Sequence, residues 1–245
     1  MKYFLIKKNF QRIILIIIFS VITLQTQETN AQQVDYSGTS SANFLKIGVG
    51  SRPMAMGDAA IASINSAEAL YWNVAALTRI DAEFSFAVST MDWLVDSRNS
   101  YVAASYKAND IGTFGVDLQY LDYGQIEETT VYDQDGTGRF LSASDMVIGL
   151  GFARQLTDRF SFGIKIKYIN ETIADATGNA FAIDLGTVFL TSFFDNKLRL
   201  AASLSNFGTK MKFIGDDLSV TYTVPDNPGG KQVPAELTTL EWDIP

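Results

Sequence analysis

Residues 160–169 read Phe-Ser-Phe-Gly-Ile-Lys-Ile-Lys-Tyr-Ile, and this alternation is the sharpest pattern in the chain. Successive side chains of a strand point to opposite sides. Phe160, Phe162, Ile164, Ile166 and Tyr168 therefore share one face, and Ser161, Gly163, Lys165 and Lys167 the other. The same period runs from Glu83 onward. Phe84, Phe86 and Val88 alternate with Ser85, Ala87 and Ser89; 101–107 is a weaker strand. In 112–121, Phe114, Val116, Leu118 and Tyr120 oppose Gly115, Asp117 and Gln119. In 144–155, Met146, Ile148, Leu150 and Phe152 oppose Val147, Gly149, Gly151 and Ala153. In 180–191, Phe181, Ile183, Leu185 and Phe189 oppose Asp184 and Gly186, and in 197–207 Leu198, Leu200, Ala202 and Leu204 oppose Arg199, Ser203 and Ser205. The pattern predicts about seven strands.

Between these strands the connections alternate in length. Residues 91–100 and 122–143 are long, 108–111 and 156–159 short, 172–179 intermediate, 192–196 short, and a long polar stretch follows Gly208. Short turns at one end and long loops at the other are the habit of outer-membrane barrels. A Greek-key sandwich has no reason to keep that order. Twelve residues at about 3.3 Å each, tilted by about 45°, cover roughly 28 Å, close to the apolar band of such a barrel. The expected fold class is all-β, a transmembrane antiparallel up-and-down β-barrel. A secreted soluble β-protein is the competing reading of the alternation, and detergent-free solubility of the mature chain separates the two.

The first 31 residues have the layout of a secretory signal peptide. Lys2, Lys7, Lys8 and Arg12 precede the apolar stretch 13–24, and the small residues Thr29 and Ala31 suit cleavage after Ala31. Twelve apolar residues are too few to cross the roughly 30 Å of hydrocarbon as a helix. Cleavage leaves 15 basic and 26 acidic residues, a net charge of −11 against −8 for the whole chain. That balance argues against a nucleic-acid partner, which needs a basic face. The chain has no cysteine, so a disulfide framework and a lipidated N-terminal cysteine are both excluded. The mean hydropathy of +0.09 suits a barrel, in which every second residue is polar.

Residues 44–77 lack strand alternation and are rich in Gly and Ala. Residues 66–71 are expected to form a short helix with Ser66 as N-cap and Glu68 in its first turn. Residues 32–80 are read as an N-terminal plug and 81–245 as the N-terminal half of a barrel. Gly115, Gly149, Gly151, Gly163 and Gly186 lie opposite the apolar face, where they serve either wall curvature or close approach by the plug. Asp117, Lys165, Lys167, Asp184 and Arg199 then face the lumen. They either pair across the interior or mark a solute path.

The run Ser-Arg-Pro-Met-Ala-Met-Gly-Asp-Ala-Ala from Ser51, followed by Ala-Glu-Ala-Leu-Tyr-Trp-Asn-Val-Ala-Ala-Leu from Ala67, resembles the N-terminal signature of the PorV/PorQ family. Leu-Ser-Asn-Phe-Gly from Leu204, with Lys-Met-Lys from Lys210, resembles a strand end of that family. The resemblance points to Arg52, Pro53, Gly57, Tyr71, Trp72 and Asn73 as the plug motif. Val74 stands where the family usually has proline. The family comprises bacterial outer-membrane barrels related to FadL-type transporters, with about fourteen strands and an internal hatch. The resemblance implies outer-membrane lipid as surroundings, and a type IX secretion translocon and its cargo as partners. The alternative it allows is a FadL-like passive channel for hydrophobic small molecules. Seven strands are half the family number, so the chain is expected to be an N-terminal fragment of a longer protein.

No catalytic chemistry stands out. Without histidine there is no Ser-His-Asp triad and no histidine-ligated zinc. The run Asp133–Gly138 lacks the later ligands of a calcium loop and reads as an Asp-Gly turn. No cofactor, metal or enzymatic activity is expected.

Overall fold

The computed structural model describes residues 40–108, 110–195, 198–215, 218–223, 232–236, 239 and 241–245. The signal-peptide segment 1–31 and residues 32–39 of the expected plug lie outside these. Seven strands follow one another as hydrogen-bonded neighbours: β1 (Phe84–Asp92), β2 (Arg98–Ala108), β3 (Gly112–Glu127), β4 (Phe140–Thr157), β5 (Phe160–Ile173), β6 (Ala176–Leu190) and β7 (Arg199–Gly208). Each of these pairs is antiparallel. The fold is an all-β, up-and-down sheet, and among the described residues it does not close on itself.

Several boundaries differ from those the sequence predicts. β3 and β4 run on to Glu127 and from Phe140, which shrinks the long loop 122–143 to 128–139. A bulge hid this extension. Tyr123 and Gly124 together face one residue of β4, and Gly124 takes φ 74°. The expected loop 172–179 is the two-residue turn Ala174–Asp175, with Ala174 at φ 51°. Neither residue is the Gly or Asn that announces a tight hairpin. The connection from Leu190 to Arg199 is longer than expected, so the alternation of loop lengths holds for the first four connections only. The polar stretch after Gly208 contains β8 (Lys212–Gly215), β9 (Ser219–Thr223) and β10 (Gln232–Glu236). β8 pairs with β6 above the part that β7 uses, so these two short strands share one side of β6.

The two faces of the sheet differ sharply. Phe86, Val88 and Leu150 are 73%, 76% and 66% exposed, and they belong to a continuous outer surface with Val116, Leu118, Ile166 and Phe181. An exposed apolar face of that extent marks an interaction surface. The opposite face is covered by residues 40–80, and the core lies between them. Leu70, Val74, Ala75 and Leu77 pack with Tyr101, Ala103 and Ala153 in one cluster; Phe44, Leu45 and Ile47 pack with Leu121, Val147 and Ile169 in another.

Glycines set the distance between wall and covering segment. A Cβ at Gly163 would stand 2.5 Å from the Ala75 nitrogen, and one at Gly186 2.9 Å from it. At Gly115 and Gly151 it would meet the Leu70 side chain. Close approach therefore accounts for these four positions. Replacing Gly163 by Val should lower stability by about 1–3 kcal/mol through overpacking. A urea unfolding midpoint in detergent measures this, and an unchanged midpoint would refute the contact.

Candidate functional site

The polar inner face of β3–β7 and the segment seated on it form the candidate site. That segment is built from short turns. Residues Ser51–Ala55 make one helical turn, ended by Gly57 at φ 63°, a conformation that favours glycine. A second helical turn, Ala69–Trp72, runs into the 3-10 helix Val74–Arg79. The second helix starts later than expected. Ser66 does not cap it; its hydroxyl donates to the Glu68 carboxylate at 3.0 Å, and that carboxylate lies against Gly50.

Three side chains of the Tyr-Trp-Asn run anchor the segment to itself and to the wall. The Tyr71 hydroxyl donates to the Leu45 carbonyl at 3.0 Å, and the Trp72 indole donates to the Val49 carbonyl at 3.0 Å. Burial, reinforced by Asp58 and Asp184, pushes the Tyr71 phenol far above its ordinary pKa, so it stays a donor. Asn73 is buried and fully engaged. Its amide donates to the carbonyls of Ile61 and Thr187, both at 3.1 Å, and its oxygen accepts the Ala75 N–H at 3.1 Å. Thr187 belongs to β6, so Asn73 stitches the segment to the wall. Of the other motif residues, Pro53 is buried, whereas Arg52 and Gly57 are exposed.

Beneath this segment lie two buried ion pairs. Lys165 stands directly opposite Asp184 in register, and Asp117 opposite Gly149. The pairs nevertheless form diagonally. Lys165 Nζ reaches across β4 to Asp117 Oδ2 at 2.6 Å, and Lys167 Nζ takes Asp184 Oδ1 at 2.7 Å. All four side chains are at most 7% exposed. Gly149 makes the diagonal possible, because Lys165 Cε and Asp117 Oδ1 fill the space its side chain would take. The segment, through Leu70, and the wall, through Tyr101 and Asn206, add further partners. Lys165 donates to the Leu70 carbonyl at 3.0 Å, and Tyr101 donates to Asp117 at 3.2 Å. Lys167 donates to the Asn206 side chain, and the Asn206 N–H donates to Asp184 at 2.7 Å. Tyr71, Trp72, Asp117, Lys165, Lys167 and Asp184 thus meet around one cavity of ≈ 220 Å³.

Arg199 is placed differently. Its guanidinium donates to the Ala62 carbonyl at 3.0 Å, and no carboxylate lies within ion-pair distance among the described residues. Sequence reasoning passed over Gln119, whose buried amide donates to the Ile47 carbonyl at 3.3 Å and to Asn99 at 3.2 Å. Its place on the polar face of β3, beside Asp117, was the available signal. Asn206 was missed as well. Its φ of 62° marks a bulge in β7, where Ser205 and Asn206 together face Asp184, and turns its backbone N–H toward that carboxylate.

Chemically this is a clamp. Each lysine is neutralised by a carboxylate and held by the backbone or an amide. Among the described residues no three acidic side chains gather as a metal site. Residues 28–228 match the model of the family described as type IX secretion system protein PorV. No protein of curated function matches the chain.

The clamp is testable. Lys165→Met leaves Asp117 buried without its cation and should cost about 3–5 kcal/mol, whereas adding Asp117→Leu should restore most of that loss. Urea midpoints of the three proteins in detergent measure both effects. A single variant as stable as the parent would show that the pair carries no load.

Proposed function

The chain belongs to the PorV family, whose members are outer-membrane components of the type IX secretion system, and we propose that it works there as a non-catalytic carrier of cargo proteins. The observation behind this reading is the occupied inner face. Residues 40–80 cover it, and four of the charges beneath them, Asp117, Lys165, Lys167 and Asp184, are neutralised in two pairs at most 7% exposed. Such an interior serves as a rigid scaffold, leaving the rims for protein contacts. In this reading the apolar outer face meets lipid, the segment through residue 80 is the plug, and the signal peptide directs export. Asp117, Lys165, Lys167 and Asp184 hold the plug in place.

A second reading, a passive channel for hydrophobic solutes, draws on one observation. An apolar cavity of ≈ 710 Å³ lies at the long-loop end, between Phe44 and Ile47 of the segment and Trp93, Leu94, Leu121 and Ile126 of the wall. Its volume is that of a ligand pocket.

The two readings separate in cells. Affinity recovery of the full-length protein from its host should bring down translocon or cargo proteins; recovery of neither rejects the carrier. Lys165→Met should leave uptake of a hydrophobic solute unchanged if the protein is a carrier, and an increase in uptake would favour the channel.

A further inference from the structure

Three arginines converge at the short-turn end of the inner face. Arg79 closes the 3-10 helix, Arg199 opens β7, and Arg159 sits exposed in the turn between β4 and β5. All three line one cavity of ≈ 280 Å³, together with Thr78, Ser161 and Asp158. We propose that this cavity is a binding site for a soluble phosphate-type oxyanion.

The geometry of Arg79 and Arg199 carries the argument. Each donates an Nη1 hydrogen to the same acceptor, the Ala62 carbonyl, at 3.2 and 3.0 Å. The two nitrogens therefore stand within about 6 Å of each other. One neutral carbonyl does not offset two cations. Among the described residues, no carboxylate lies within ion-pair distance of Arg79, Arg159 or Arg199. Asp158 lines the cavity without pairing, and Asp81 is the acid that acts on Arg79. Burial, and then the charge of Arg199, pulls the Arg79 pKa below its ordinary value, against the opposing pull of Asp81. Lys107, Arg154 and one acid, Asp110, line the adjoining cavity, which shares Thr78, Gln155 and Asp158 with this one. In a chain of net charge −8 this mouth is a local excess of positive charge.

The donor set selects the ligand class. A guanidinium presents five N–H groups in a planar fork. A carboxylate is satisfied by one such fork, whereas a phosphate group accepts from several at once. The cavity lies below the usual volume of a drug-sized pocket, which suits a small anion. Ser161 and Val188 place it on the buried inner face, away from the apolar outer surface, so the anion comes from solution and not from a lipid headgroup.

Calorimetric titration of the full-length protein in detergent with inorganic phosphate tests the site. Saturable binding is expected, weakened about tenfold or more in Arg79→Gln, Arg199→Gln and Arg159→Gln, since each loses a charged hydrogen bond to the anion. Arg139→Gln, in an exposed ion pair with Glu128 and Asp175, should bind like the parent. Arg159→Gln keeps the test decisive if losing a bond to Ala62 unfolds the other two. Acetate at equal ionic strength should not compete. The proposal is overturned by absence of saturable phosphate binding, by parental affinity in Arg159→Gln, or by equal competition from acetate. Binding to phosphatidylglycerol vesicles without binding of inorganic phosphate also overturns it.

Discussion

The Lys165 ammonium sits between two requirements of the fold. On one side it neutralises Asp117 across the strand that separates them; on the other it holds the Leu70 carbonyl of the covering segment. A sheet whose outer face is apolar must hide its polar groups inside, and a buried charge is tolerated only when paired and hydrogen-bonded. This wall meets that condition twice, with Lys165–Asp117 and Lys167–Asp184. The close glycine contacts, the Asn73 stitch and the hydrophobic clusters act with the Lys165 bond to Leu70 to hold the segment against this wall.

That dependence explains why glycine recurs on the inner face. At Gly163 and Gly186 the backbone of the 3-10 helix approaches the wall too closely for any side chain. At Gly149 the occupant is the ion pair itself. The same residue type thus serves two purposes on adjacent strands: it admits backbone in one place and charge in the other.

Much of this was legible in the sequence. The alternation from Phe160 to Tyr168 places each lysine on the inner face, and the Phe114–Tyr120 pattern does the same for Asp117 and Gln119. The alternation does not say which lysine meets which aspartate. The register would pair Lys165 with Asp184, and only the trough over Gly149 shows why Lys165 goes to Asp117 instead. Other features escaped because tertiary context overrode local signals. A bulge at Tyr123 and Gly124 interrupts the period of two, so the far half of β3 reads as loop. The turn at Ala174 contains no glycine or asparagine, although Ala174 itself takes a positive φ. The arginine pair on Ala62 joins positions 79 and 199, and no local pattern can link them.

The spacing of these partners along the chain bears on how the protein is made. Leu70 and Lys165 are 95 residues apart, and Asn73 and Thr187 114 apart. The covering segment is synthesised first, yet its seat does not exist until β5 and β6 have been laid down. Contacts of such long range close slowly, because the loop entropy is lost before the contacts repay it. Until then the segment's apolar residues have nothing to bury against. A chain built this way cannot seat residues 44–77 until β5 and β6, more than 80 residues further on, have been laid down.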